Sequence, residues 1–340
     1  MSSPASHTLS TRAGLLILVC ALYLAIFTVY YQINFMGYQG GLAWYERVQW
    51  ERTQQVMHGE QGTPWQYRLF TDTIVYATVR GFEASGVPRP IGTAFVLIRL
   101  LQNVLLFTLA AVWYHRLGAT LLAALFGVGL LAWGMCHGLY DGDLTFNTYT
   151  DLSIFLGAAL LIQAGRFGWL VPLMVAAAFN RETSGCIPFM LLFSQWRWKP
   201  SPGVPARVWK FFFVTIGIYF IIVGGMRLPF LFGMRPYIVP TAGVEPILPL
   251  LLFNLTWYRT WVFLFAVVGL LPILAFISWK AWPPILQRIA LAVVPVWFPI
   301  HFMLAHAPET RLFFVPHALV FVPGALLGIW HWQRREMKSP

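Results

Sequence analysis

Predominantly apolar segments recur along the whole chain, at about 13–33, 91–115, 119–137, 151–165, 209–226, 260–279, 289–306 and 312–330. Each reaches, or nearly reaches, the roughly 20 apolar residues that a helix needs to cross a bilayer. The segment 167–196 is different. As one helix its length would be about 45 Å, while two helices broken in the middle would be about 20 Å each. Basic residues decide between these, because cytoplasmic connections collect lysine and arginine. Arg166 precedes the segment, and Arg197, Lys199, Arg207 and Lys210 follow it. A hairpin keeps both groups on one side, so 167–196 is expected to turn back on itself.

The pattern predicts an all-α, polytopic membrane protein: one transmembrane domain over 1–340 with about ten spans, short helical hairpins among them, and both termini cytoplasmic. The inner side then holds Arg12, Arg116, Arg166, Arg288, Arg334, Arg335 and all four lysines, with Glu336 as its single acid. The other eleven acidic residues are expected on the outer side or near it: nine in or beside three connections at 34–90, 138–150 and 226–259, and Glu182 and Glu309 in two polar turns.

Composition agrees with this picture. Hydrophobic residues make up 58% of the 340 positions and charged residues only 10%, against about 25% charged in a soluble protein. A net charge of +11 would point to nucleic acid in a soluble chain, but here it follows the inner loops, so no nucleic-acid partner is expected. The first apolar run has no small-residue cleavage site and reads as a retained signal anchor. Cys20, Cys136 and Cys186 lie inside apolar runs without metal-ligand spacing, which argues against zinc and against a disulfide framework.

Two polar turns interrupt the apolar pattern. In Asn180-Arg181-Glu182-Thr183, Asn180 suits a helix N-cap with Glu182 in the first turn; in Pro308-Glu309-Thr310-Arg311, Pro308 suits the first helical position. Both turns are expected at outward hairpin tips, where helix N-terminal amides together with Arg181 and Arg311 suit a phosphate. The alternative is that Arg181, Glu182, Glu309 and Arg311 pair with one another and pin the hairpins. Intramembrane ionisable groups favour a functional site.

The first outer connection supplies further groups. If 42–57 is helical, Glu46 and Glu51 project about 140° apart. Arg47 and Glu51 are spaced to pair, which leaves Glu46 with no local partner and makes it the candidate general base. Residues 64–84 carry a helical apolar pattern, with Phe70, Ile74, Val75 and Thr78 on one side, and are expected to lie along the membrane interface. Tyr67 and Arg68 at its start suit a phosphate or headgroup, or simply anchor the helix. Asp141 and Asp143 offer carboxylates to a divalent metal or an acceptor, and Asp151 suits the cap of the next helix. Loop 226–259, with Arg227, Arg235, Glu245 and Arg259, has the composition of a cover for the cavity, and Asn254 begins a glycosylation sequon. His301, His306 and His317 flank the second turn, with either proton handling or packing as their role. No phosphate-binding glycine loop, nucleophile elbow or zinc-protease helix is present.

Glu46 after the first span, then Gly59, Pro64 and Gln66-Tyr67-Arg68, resembles the opening of GT-C type integral membrane glycosyltransferases. The likeness covers mainly 13–70, plus the number and sidedness of the spans. The chain offers Glu46 alone where many members have Asp or an Asp-Glu pair, and it lacks the soluble domain that some members append. The resemblance implies transfer of a sugar from a polyprenyl-phosphate-linked donor, among membrane lipids, to an acceptor at the outer face. It implies Glu46 as the base that deprotonates the acceptor hydroxyl, and Arg68, Arg181 and Arg311 as ligands of the donor phosphate. Glu182, Glu309 and Tyr67 would support them, with Asp141 or Asp143 at the acceptor or a metal. The competing readings are a secondary transporter or lipid flippase, an O-antigen-polymerase-like enzyme, and a noncatalytic membrane scaffold.

Overall fold

The computed structural model describes residues 10–35, 41–62, 65–139, 145–196, 203–231 and 247–336. Helix accounts for 87% of the structure and no strand is found among the described residues, so the all-α expectation holds. Among the described residues five helices are long and apolar enough to cross a bilayer: Thr11–Phe35, Pro90–Arg116, Ala206–Leu228, Pro284–Leu304 and Thr310–Arg334. A sixth is added if Ile247–Thr256 and Tyr258–Val268 count as one span across their 66° bend. The remaining expected spans form helices but do not meet that length and composition. Leu121–His137 is shorter, Phe146–Gln163 opens on a polar turn, and 167–196 divides into two short pieces.

The first helix shows how sequence sets the packing. Its buried positions, Ile17, Ala21, Ala25, Thr28 and Gln32, recur every three or four residues and form one narrow stripe. The alanines in that stripe let Thr11–Phe35 lie close against Pro90–Arg116. Leu15, Leu18, Tyr23, Ile26 and Tyr30 point away from the protein. An outward face this apolar suits lipid and would be costly in water. Thr310–Arg334 is the opposite case: 94% of its apolar window is buried, against 17% for Ala206–Leu228. It is the central post around which the other helices pack.

The reversal expected within 167–196 is present. Leu170–Asn180 ends at Arg181, a short turn spans Glu182–Gly185, and Cys186–Ser194 follows. The helix beginning at Ala206 records the direction of each arm. Its Phe211 ring meets Phe167 before the turn, its Phe212 ring meets Phe189 after it, and its Tyr219 hydroxyl donates to the Glu182 carbonyl at 3.0 Å. Both arms therefore lie alongside one neighbour, with the polar turn at the far end.

Several local expectations change. Asn180 is the last residue of its helix and no N-cap; its side chain turns inward to polar partners instead of to the amides of its own turn. Pro308 precedes the helical turn, which starts only at Thr310. Asp151 lies one turn inside Phe146–Gln163, and Thr145 occupies the cap position. The 260–279 segment breaks at Gly269, whose φ of 55° is accessible to glycine at little steric cost, and a short helix, Leu271–Ile277, follows. Part of the expected outer loop 226–259 is the apolar helix Ile247–Thr256.

In the first connection, the expected 42–57 helix runs as Gly41–Trp44, a π-turn at Tyr45–Gln49, and Trp50–His58. Gly59 ends it in the left-handed conformation, its amide bonded to the Gln55 and Val56 carbonyls. Arg47 and Glu51 form no ion pair among the described residues, because the π-turn between them rotates the face they would share. Leu69–Ala84 is helical as expected, but it buries Thr71, Val75 and Val79 and leaves Ile74 exposed.

Candidate functional site

Three arginines far apart in sequence meet at one end of the bundle. Arg68 precedes Leu69–Ala84, Arg181 sits in the first polar turn, and Arg311 in the second. Arg181 and Arg311 are only 5% and 6% exposed, and Arg181 interacts electrostatically with both Arg68 and Arg311. Three cations gathered at low dielectric repel one another strongly, so the anions around them decide whether the arrangement holds.

Each arginine has a different counter-ion. Arg68 Nη2 lies 3.3 Å from Glu182 Oε2, with its guanidinium over the Trp65 ring. Arg181 Nη1 stands 3.9 Å from Asp151 Oδ2, and the same oxygen accepts the Thr183 hydroxyl at 2.8 Å. Asp151 is fully buried and its Oδ1 has no hydrogen-bond partner. Arg311 Nη2 reaches Glu309 Oε2 at 2.7 Å and its Nη1 donates to Thr145 Oγ1 at 2.6 Å. Arg227 joins from the end of its own helix, 4.0 Å from Glu182 Oε1 and stacked over the buried Tyr67 ring. Burial pushes the Glu182 carboxyl up, but Arg68, a backbone hydrogen bond, Arg181 and Arg227 outweigh it, and the net shift is below the usual range.

A layer of neutral polar groups ties the segments together beneath the charges. The Thr71 hydroxyl donates to Asn180 Oδ1, and Asn180 Nδ2 donates to the Asn147 carbonyl at 3.0 Å. Gln102 donates to Thr150 Oγ1 at 2.6 Å and to the Phe146 carbonyl at 2.8 Å, and it accepts from Arg99 at 3.0 Å. Arg99, itself buried, lies over the Phe146 and Tyr149 rings. The position of the second turn is set by Asn254. Its side chain donates to the Phe302 and Ala305 carbonyls at 2.8 and 2.7 Å and accepts the Ala307 amide at 3.0 Å. Asn254 is fully buried, so the sequon pattern there is closed to glycosylation in this fold.

Seven sequence-picked residues can be placed. Arg68, Arg181, Arg311, Glu182, Glu309 and Tyr67 come together. Glu46 does not join their contacts, and it is not without a partner. Arg89 binds it through two bonds, Nη2 to Oε2 at 2.8 Å and Nε to Oε1 at 3.1 Å. The partner lies 43 residues downstream, beyond the reach of a pairing rule that looks one helical turn ahead. Gly92 makes room for this contact, since a Cβ there would stand 2.5 Å from Glu46 Oε1. Asp141, Asp143, Arg235 and Glu245 lie outside the described residues, so the metal expectation at Asp141 and Asp143 is not addressed. Among the described residues no group of three or more potential metal ligands is found.

His301 packs. Its ring stacks on Trp297, and Nδ1 is 2.8 Å from the Trp297 carbonyl.

Sequence reasoning passed over Asp151 as a partner, Asp72 and Arg99, and it placed Arg227 in a covering loop where the structure puts it against Glu182 and Tyr67. Asp72 accepts the Thr53 hydroxyl at 3.1 Å and lines a cavity of about 10 Å³ with Gln49, Arg52, Thr71 and Thr145. A second cavity of the same volume, lined by Gln32, Phe95 and Arg99, shares the Phe146 wall. Each has room for about one water molecule, and Arg68, Arg181 and Arg311 are not among the residues that line them. A signal for Arg99 was available, as a lone arginine in the middle of an apolar 27-residue helix. None was available for Asp151, whose polar turn and partner are joined only by folding. Comparison with protein-family models, curated proteins and solved structures finds no match, so function must be argued from the chemistry of this site.

Proposed function

We propose that this chain is a GT-C-like membrane glycosyltransferase, moving a sugar from a polyprenyl-phosphate-linked donor to an acceptor hydroxyl at the outer face. The observation that carries the reading is the convergence of Arg68, Arg181 and Arg311 from three separate segments at one end of an apolar helical bundle. Such a cluster suits a group that gains negative charge as the reaction proceeds. The reading includes the ten-span arrangement with both termini cytoplasmic, in which short helices such as 170–180 and 186–194 reach the membrane core as a hairpin.

In the step, the acceptor oxygen attacks the anomeric carbon of the sugar while the bond from that carbon to the phosphate oxygen breaks. The acceptor proton passes to a carboxylate, and the departing polyprenyl phosphate is held by the arginines. Glu46 takes the base role by family resemblance, once Arg89, whose side chain is 62% exposed, has moved aside. Asp72 competes for that role because it lines the polar cavity beside the cluster. The cavity that Asp72 lines holds about one water, so a sugar reaches Asp72 only if that cavity widens.

Membranes holding the protein, given a panel of radiolabelled polyprenyl-phosphate sugars, should yield labelled acceptor. Glu46→Gln and Asp72→Asn, each expressed at wild-type level, decide the base: the variant that abolishes transfer identifies it. Full transfer by both would remove both from the role. A transporter or lipid flippase is the second reading, favoured by the 66° break between Ile247–Thr256 and Tyr258–Val268. Movement of a labelled lipid-linked sugar across proteoliposomes without any transfer product would select it. An O-antigen-polymerase-like enzyme would use the same arginines and yield polymer instead of a single addition.

A further inference from the structure

At the opposite end of the bundle a groove runs between the C-terminal parts of Pro90–Arg116 and Phe146–Gln163. Its volume is about 450 Å³, and Leu109, Val112, Leu160 and Leu161 form apolar walls. A Cβ built on Gly157, which also lines it, would meet nothing within 4 Å, so the groove is open there. Arg116 and Arg166 line the same groove. Both side chains are exposed, and among the described residues neither guanidinium makes an ion pair or hydrogen bond. No carboxylate is among the lining residues.

The combination selects its occupant. Two unneutralised guanidinium groups attract an anion, and the carbonyl ends of the two helices, each worth about half a negative charge, offset them only in part. The walls are hydrocarbon, a poor surface for a free hydrated ion and a good one for an acyl chain. Pro90–Arg116 is about 40 Å long at 1.5 Å per residue. The groove is thus far from Arg89 and the start of that helix, and separate from the arginine cluster.

We propose that this groove binds an anionic phospholipid, with its phosphate between Arg116 and Arg166 and one acyl chain along the leucine walls. Basic pockets between transmembrane helices recognise acidic lipid headgroups in this way. The site is independent of the transferase reading and stands whether or not the cluster handles a sugar donor.

The test is native mass spectrometry of the full chain released from vesicles of phosphatidylcholine and phosphatidylglycerol. Wild type should retain phosphatidylglycerol selectively. The double variant Arg116→Gln/Arg166→Gln should reduce that retention at least about tenfold, without change in thermal stability, because both side chains are exposed. Gly157→Leu, which fills the open space and leaves both charges, should reduce it as well. Equal retention of the two lipids by wild type, or wild-type retention by either variant, would overturn the proposal. So would displacement of the lipid by millimolar glycerol phosphate, since charge alone would then account for binding.

Discussion

The two polar turns use the same kinds of residue and neutralise their arginines in opposite ways. Among the described residues, Arg311 pairs locally with Glu309, two positions earlier, at 2.7 Å and also donates to the Thr145 hydroxyl. Arg181 forms no ion pair with the glutamate beside it among the described residues, although it lies near enough to favour its charged form. Glu182 faces Arg68 and Arg227, and Arg181 is left with Asp151, 30 residues upstream on another helix, at 3.9 Å. The first turn is therefore held by charges crossing between segments, while the second includes a local ion pair on a frame built by Asn254.

That contrast orders the consequences of mutation. Asp151→Ala should be the most damaging, destabilising by about 3–5 kcal/mol, because it leaves a buried guanidinium without its counter-charge. Thermal unfolding in detergent reads this directly. Asn254→Ala should cost about 2–3 kcal/mol by removing three hydrogen bonds from the frame of the second turn. Equal melting of Asn254→Ala and wild type would show that the second turn holds itself. Thr183→Val should cost about 1 kcal/mol, the worth of one hydroxyl bond to a buried carboxylate. Glu309→Gln should cost less than about 1 kcal/mol, since that carboxylate is 30% exposed. A larger loss than Asp151→Ala would invert the comparison.

The smallest effect separates the turns by pH. Glu182 is held below its ordinary value of 4.5, so its pairs with Arg68 and Arg227 contribute fully above that pH. The contribution fades as pH falls through the lowered value, when the carboxylate takes up a proton. Wild type should lose melting temperature on acidification below about pH 4.5, and Glu182→Gln should lose less. Parallel curves for the two proteins would deny Glu182 any role in joining the segments.

What was legible in the sequence follows from the same contrast. Helical character and the reversal at 181–185 could be read from apolar runs and loop charge, because membrane thickness and loop charge constrain them, whereas the grouping of Arg68 with Arg181 and Arg311 came only with the family resemblance. The Glu46–Arg89 pair, the burial of Asp151 and the inward turn of Asn254 could not. Each depends on a contact between residues 30 or more apart, which no local periodicity encodes. Breaks within helices were also hidden. Gly269 and the π-turn at Tyr45–Gln49 interrupt segments whose hydropathy is continuous.

The central claim, that three arginines from three segments make one phosphate site, is tested most directly at Arg311. Sugar transfer from a labelled polyprenyl-phosphate donor should be measured in membranes containing wild type or Arg311→Met at equal protein level. The account predicts transfer by wild type and a loss on the order of a hundredfold in the variant, the usual effect of removing one stabiliser of developing charge. Undiminished transfer by Arg311→Met would contradict it.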